Sequence, residues 1–155
     1  MRQVGLEAMV RYKFIINRGK IMKIIFYILN FTWGIIMNLF GAIGAAAMLV
    51  LGVKPTLHAG SIVFRTGHNW GGVSLGVFCF VCEEAGERTL NHEFGHSVQN
   101  AILGPLFPFI VAIPSFIHYW IFVNNQKKGI KNPDYDSVWF EGSATQWGTD
   151  IAKRW

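Results

Sequence analysis

From Ile24 to Gly52 the chain carries no charged side chain, and only Asn30, Thr32 and Asn38 are polar. A helix rises about 1.5 Å per residue, so this run exceeds the roughly 30 Å of a bilayer's hydrocarbon core. Two complete spans would need about 40 residues, so one tilted transmembrane helix is expected over 24–52. The run is too long for a signal-peptide core and lacks a short-flanked cleavage site. The competing reading is a hydrophobic core helix. Gly41, Gly44, Ala45, Ala46 and Ala47 make a small-residue face. Such faces admit a second helix closely in lipid, which makes a homo-oligomer through this face one expectation.

Composition bears on the same question. Charged residues are 15% of the chain and apolar ones 52%, against about 25% charged in an average soluble domain. The net charge is +5, and the basic residues flank apolar runs. Arg2, Arg11, Lys13, Arg18, Lys20 and Lys23 precede the first run, and Lys127, Lys128 and Lys131 follow the last. That pattern suits anionic lipid headgroups, so a lipid bilayer is an expected partner and nucleic acid is not. Basic residues before the span place the N-terminus in the cytoplasm. Residues 1–23 are expected to be a basic N-terminal tail, within which Met22-Lys23 is a second candidate start of translation.

Along the rest of the chain, Ser61–Phe64 and Val73–Val81 are β-rich and enclose the turn-rich Thr66-Gly67-His68-Asn69-Trp70-Gly71-Gly72. They predict a β-hairpin with a long loop. Residues 89–103 predict a helix capped by Thr89 or Asn91 and stopped by Gly104-Pro105. Residues 106–123 are apolar but interrupted by Pro108 and Pro114, residues 124–136 read as a loop, and 137–150 predict a last helix. The expected class is α+β: an N-terminal transmembrane helix, a β-hairpin, a motif-bearing helix, a Pro-broken apolar segment and a C-terminal helix. Cys79 and Cys82 sit three apart in a predicted strand and so point to opposite faces, which suits neither a shared metal nor a redox pair.

The chemistry concentrates in His92-Glu93-Phe94-Gly95-His96. On a helix, positions i and i+4 share a face, and two imidazoles at that spacing can bind one Zn²⁺ at about 2.0–2.1 Å. Glu93, beside the first histidine, is placed to take a proton from a water that the zinc has acidified. Leu90, Phe94, Val98, Ala101 and Ile102 supply an apolar stripe. Gly95 costs about 1 kcal/mol relative to Ala in a helix, which suggests close approach of another backbone or a ligand. The competing reading is a pair of hydrogen-bonded core histidines. Catalytic zinc usually takes three protein ligands. The leading third candidate is Glu141, a lone acid in Trp139-Phe140-Glu141-Gly142, because carboxylates are rarely buried without a partner. An exposed helix-start glutamate is its alternative, and His118 is the rival ligand. His58 and His68 read as surface loop residues.

His92-Glu93-Phe94-Gly95-His96 with a downstream Glu141 resembles the gluzincin group of zinc peptidases. The stretches Asn69–Gly76, His92–Gln99, Leu103–Leu106, Ile113–Ser115 and Trp139–Glu141 are similar to a family of small bacterial membrane proteins carrying this motif. The resemblance covers roughly residues 60–148. It implies a minimal zincin-like domain over 56–155, with His92, His96 and Glu141 as zinc ligands and Glu93 as general base. In zincins resembling this one an edge strand above the metal helix pairs with extended substrate, and Val73–Val81 is expected either to supply that edge or only to pack the helix. Many gluzincins orient a zinc histidine with an aspartate four residues after the ligand glutamate. Here that position is Thr145, a weaker acceptor. Tyr119 and Tyr135 are candidates for stabilising an oxyanion.

A topological constraint follows. If 106–123 crossed the bilayer, the histidines and Glu141 would lie on opposite sides and could not share an ion. The segment is therefore expected to pack on the domain or dip into the membrane. The leading functional expectation is a zinc metallopeptidase at a bacterial inner membrane, with its catalytic part periplasmic or external. The alternative is a non-catalytic membrane interaction or assembly protein with a structural or vestigial metal site.

Overall fold

The computed structural model describes residues 18–155. Helix α1 (Arg18–Phe31) is followed by α2 (Ile35–Val50). A four-stranded sheet comes next, from β1 (Thr56–His58), β2 (Ser61–Arg65), β3 (Gly72–Leu75) and β4 (Phe78–Val81). Helix α3 (Glu87–Leu103) leads through short 3-10 and π turns to α4 (Ile113–Lys127), and α5 (Trp139–Ala152) closes the chain. The α+β class is as expected. Of the expected basic tail, residues 1–17 lie outside the described residues, and 18–23 belong to α1.

The run 24–52 does not form the expected single helix. It breaks at Thr32-Trp33-Gly34, and the two helices meet at 87°. A break in so apolar a run frees carbonyl groups that need partners. Asn38 Nδ2 donates to the carbonyls of Asn30 (2.8 Å) and Gly34 (3.1 Å), and Asn100 Nδ2 donates to Gly34 O (3.1 Å) and Asn30 Oδ1 (2.8 Å). All three asparagines are essentially inaccessible to solvent. The bend is thus stabilised by amides separated from it by up to 70 positions. Among the described residues no single helix is long and apolar enough to cross a membrane, although two bent pairs pass by length and composition.

The second bent pair turns by 119° between α3 and the segment that begins at Pro108. The Gly104-Pro105 stop acts where expected, with Gly104 at φ 53°. A side chain there would collide with the Trp33 indole, whose Nε1 donates to Ile102 O at 3.3 Å. The two bends are therefore locked together. Met37 from α2 packs with Phe107 and Val111 just beyond. The expected caps Thr89 and Asn91 are not used, because α3 starts at Glu87 after Gly86. The expected loop 124–136 is shorter, because α4 runs on to Lys127.

The strand order is β1-β2-β4-β3. The expected long-loop hairpin is corrected: β2 and β4 pair in parallel, while β1/β2 and β3/β4 are tight antiparallel hairpins. The stretch 73–81 is divided by a turn at Gly76 (φ 69°). Asn38 of α2 fills the hollow of that turn, accepting from Val77 N at 2.9 Å, and a Cβ on Gly76 would lie 2.4 Å from it. The small residues of α2 face this hairpin. A Cβ on Gly41 would lie 2.2 Å from Leu75 O, and one on Gly44 would lie 2.8 Å from the Phe80 ring. That part of the small-residue stripe, expected to meet a second copy, is covered by the chain's own sheet; Ala46 and Ala47 stay exposed.

Helices α3 and α5 cross in direct backbone contact. A Cβ on Gly95 would lie 1.9 Å from Ala144 O, and one on Gly148 would lie 1.8 Å from Asn91 O. Phe26, Phe94 and Trp155 meet in tilted and edge-to-face contacts and join α1, α3 and the chain's end.

Candidate metal centre

The crossing of α3 and α5 decides what His92 and His96 face. Their i, i+4 spacing puts both rings on the α5 side, and the first turn of α5 presents Glu141, which is wholly buried. Glu141 Oε2 lies 3.0 Å from His92 Nε2 and 3.3 Å from His96 Nε2, and the two Nε2 atoms are 3.1 Å apart. The outer ring nitrogens are held by neutral partners. His92 Nδ1 meets Thr145 Oγ1 at 2.8 Å, and His96 Nδ1 meets Gln99 Oε1 at 2.7 Å. The amide of Gln99 is oriented because its Nε2 donates to Phe140 O (2.8 Å) and Ser143 Oγ (2.9 Å). Its Oε1 can then only accept, so His96 carries its proton on Nδ1 and turns the Nε2 lone pair inward.

Three atoms able to offer a lone pair, His92 Nε2, His96 Nε2 and Glu141 Oε2, converge. Such a cluster is repulsive unless a proton or a cation stands between its members. Burial disfavours a charged His96, but the hydrogen bond with Glu141 and the charges of Glu93 and Glu141 outweigh it and raise its pKa. Burial likewise opposes ionised Glu141, yet its hydrogen bonds to both histidines hold its pKa well below the usual carboxylate range. Among the described residues, one group of side chains has the donor set and convergence to hold a metal ion, and it is His92, His96 and Glu141. The fit can be tested on the edges of the triangle. Ligands at about 2.0–2.1 Å in a tetrahedron stand roughly 3.3 Å apart. The observed edges run from 3.0 to 3.3 Å.

No protein-family model, curated protein or solved structure matches the chain. The centre therefore rests on its own geometry.

Glu93 stands beside the triangle rather than in it. It is buried, with Oε2 accepting from Ser74 Oγ at 2.8 Å, while Ser74 also donates to Glu93 O at 2.6 Å. Gly72 of β3 leaves room for the carboxylate: a Cβ there would lie 2.5 Å from Oε1. Tyr135 Oη donates to Glu141 Oε1 at 3.4 Å, and burial and the nearby Glu141 charge raise its pKa. Two cavities of about 320 and 330 Å³ open on His92 and Glu93, and both are lined by Tyr119 and Tyr135.

His118 is not a ligand. Its Nε2 donates to Tyr135 O at 3.1 Å and its ring lies 4.8 Å from that of Tyr135, so it fixes the loop that carries the tyrosine. His58 bonds Asn91 Oδ1 at 2.7 Å, and exposed His68 pairs with Glu84. Cys79 and Cys82 are free thiols. Cys79 is buried beneath Ser74 and Ser97, and burial, with the charge of Glu93, pushes its thiol up to about 11. Sequence reading missed Gln99, Ser74 and Gly72. No local periodicity marks them, and only the stretches that carry the family resemblance contain them.

Proposed function

We propose that this chain is a membrane-associated zinc metallopeptidase in which His92, His96 and Glu141 hold the zinc and Glu93 is the general base. The observation that carries this reading is the buried triangle of two imidazole nitrogens and a carboxylate oxygen, with edges of 3.0–3.3 Å. Mixed N/O donors of this kind suit zinc, and three protein ligands leave a position open. A zinc ion held there supplies Lewis acidity, polarising a substrate carbonyl and lowering the pKa of water toward about 7.

The remaining steps belong to the protein's own groups. Ser74 holds Glu93 Oε2, which leaves Oε1 to take a proton from the attacking water and deliver it to the leaving amine, and Glu93 lines both cavities. Tyr135 lines the cleft, and its hydroxyl, which donates to Glu141 Oε1 at 3.4 Å, can turn to donate to the developing oxyanion. Gln99 keeps His96 in the tautomer whose Nε2 is free, and the Thr145 hydroxyl can accept from His92 Nδ1 to do the same there. Strand β3 is an edge of the sheet and lines the cleft, which supports pairing with an extended peptide.

Association with lipid is supported by the two bent helix pairs, which expose large apolar side chains such as Ile28, Leu39, Ile43, Phe109, Phe116 and Trp120. A surface this apolar suits helices that dip into a bilayer and return.

The test is metal analysis followed by peptide hydrolysis. Wild type is expected to hold about one zinc per chain, His96→Ala to lose it, and Glu93→Gln to keep it while losing hydrolysis. Absence of zinc in the mildly purified wild type would end the proposal. Full hydrolysis by Glu93→Gln would remove the assigned base.

A further inference from the structure

The cavities beside the metal centre differ in character, and the difference bears on what the site takes. The first lies between α2, β3 and the segment 107–116, with Met37, Leu75, Phe107, Val111, Ala112 and Phe116 in its wall. The second runs the other way, past Asn69, Arg88, Gln126 and Asp136. Trp70, Gly72, His92, Glu93, Tyr119 and Tyr135 line both. The two share these residues as arms of one cleft, the first lined almost wholly by apolar groups and the second mixed and more polar, with Arg88 and Asp136 beside Phe122 and Val123. Strand β3 runs along the apolar arm with an edge that no other strand covers among the described residues. An unpaired strand edge recognises extended main chain, so a peptide is the occupant whose chemistry fits.

The rim of the apolar arm is apolar as well. Phe116, which lines it, is 70% exposed, and Ile113, Ile117 and Trp120 continue from it along one face of α4 at 50% exposure or more. Across the arm, Met37 is flanked on α2 by exposed Ile36 and Phe40. Neither α2 nor the segment 107–123 carries a charged side chain. The arm therefore opens onto the same surface that would lie against lipid, while the polar arm leads to the Arg88–Asp136 ion pair.

We infer that the substrate is a polypeptide at the point where it leaves a membrane. Its apolar stretch lies in the α2–α4 arm, its polar stretch passes Arg88, and the bond to be cut sits at the boundary. This inference rests on the peptidase reading of the site. A polar-arm residue pair flanking one end and an uncharged arm at the other give opposite preferences on the two sides of Glu93, which a cleft for general peptides would not need.

The test uses zinc-loaded full-length Glu93→Gln in detergent micelles, with binding read by fluorescence anisotropy of labelled peptides. One peptide has a leucine- and phenylalanine-rich half followed by a serine- and asparagine-rich half, and the other is serine- and asparagine-rich throughout. The junction peptide is expected to bind about tenfold tighter, the worth of burying one large apolar side chain. Ala112→Trp, added to fill the apolar arm, is expected to abolish that preference while zinc content stays unchanged, which shows that the fold survives. Should Ala112→Trp lose zinc, Ala112→Leu is the milder filling. Equal binding of both peptides, or a preference indifferent to residue 112, overturns the inference. Hydrolysis by wild type separates the two readings. A junction peptide that binds with the stated preference but is never cut refutes the peptidase and spares the cleft assignment. Equal cutting of both peptides does the reverse.

Discussion

Gly95→Ala is the most informative single change, because it adds one methyl group at the contact that closes the triangle of His92, His96 and Glu141. The added Cβ would stand 1.9 Å from Ala144 O and 2.5 Å from Ala144 C, where ordinary contact begins at 3.4 Å. The obstacle is backbone, so rotamer changes cannot relieve it, and α3 and α5 must part by about 1.5 Å locally. Glu141 belongs to the same α5 as Ala144, three residues earlier. A shift of that size lengthens its 3.0 and 3.3 Å approaches to the histidines beyond what one ion with about 2.1 Å bonds can bridge. Alanine is the better helix former by about 1 kcal/mol, which offsets part of the cost. Overpacking of this kind costs about 1–3 kcal/mol, and a displaced ligand weakens metal binding by at least the roughly 10–100-fold that loss of a partner orienting a ligand costs. Zinc affinity is to be measured by competition with a chromophoric chelator, with thermal unfolding recorded with and without zinc. Gly86→Ala is the control, because a Cβ there meets nothing within 4 Å. Wild-type zinc affinity in Gly95→Ala would refute the claim that this backbone contact holds the ligands together.

Three further outcomes are expected. Thr145→Val removes the hydroxyl that meets His92 Nδ1 at 2.8 Å and should lower zinc affinity about tenfold, with Thr145→Ser restoring it; equal affinities in all three would leave Thr145 without an orienting role. Gly72→Ala places a Cβ 2.5 Å from Glu93 Oε1 and should reduce kcat at least about tenfold with zinc content intact, whereas an unchanged kcat would mean that Glu93 need not occupy its observed position. The pH dependence has opposite signs with and without metal. His96 has a raised pKa, so its pairing with Glu141 contributes fully below the unfolded value of 6.5 and is lost as pH rises through the raised folded value; Glu141 has a lowered pKa, so its share is present above 4.5 and is lost as pH falls through the depressed one. Zinc must displace the His96 proton, so its affinity should climb as pH rises from 6.5 through the raised folded value while the metal-free protein loses the pair's stabilisation, as read by calorimetry and thermal unfolding; a flat zinc affinity over that rise would count against the ligand set.

What the sequence determined by itself was whatever is local in the chain. His92 and His96 share a face because the helical repeat puts residues four apart one above the other, and Gly104-Pro105 ends α3 because proline cannot extend it. Gly95 announced a close approach, since a glycine inside a helix is otherwise a loss, and Ala144 is what approaches. Glu141 stood out as one acid among large apolar neighbours, but its distance to the histidines depends on Gly95 and Gly148 meeting across two helices. Only the tertiary structure could decide the bend at residues 32–34, because the asparagine that completes it lies 66 positions beyond Gly34. The same holds for the parallel pairing of β2 with β4, for Ser74 on Glu93 and for Gln99 between His96 and α5. The physical reason is common to all of them. A buried polar group must find its partner wherever packing brings one within reach, and sequence spacing carries no record of that distance.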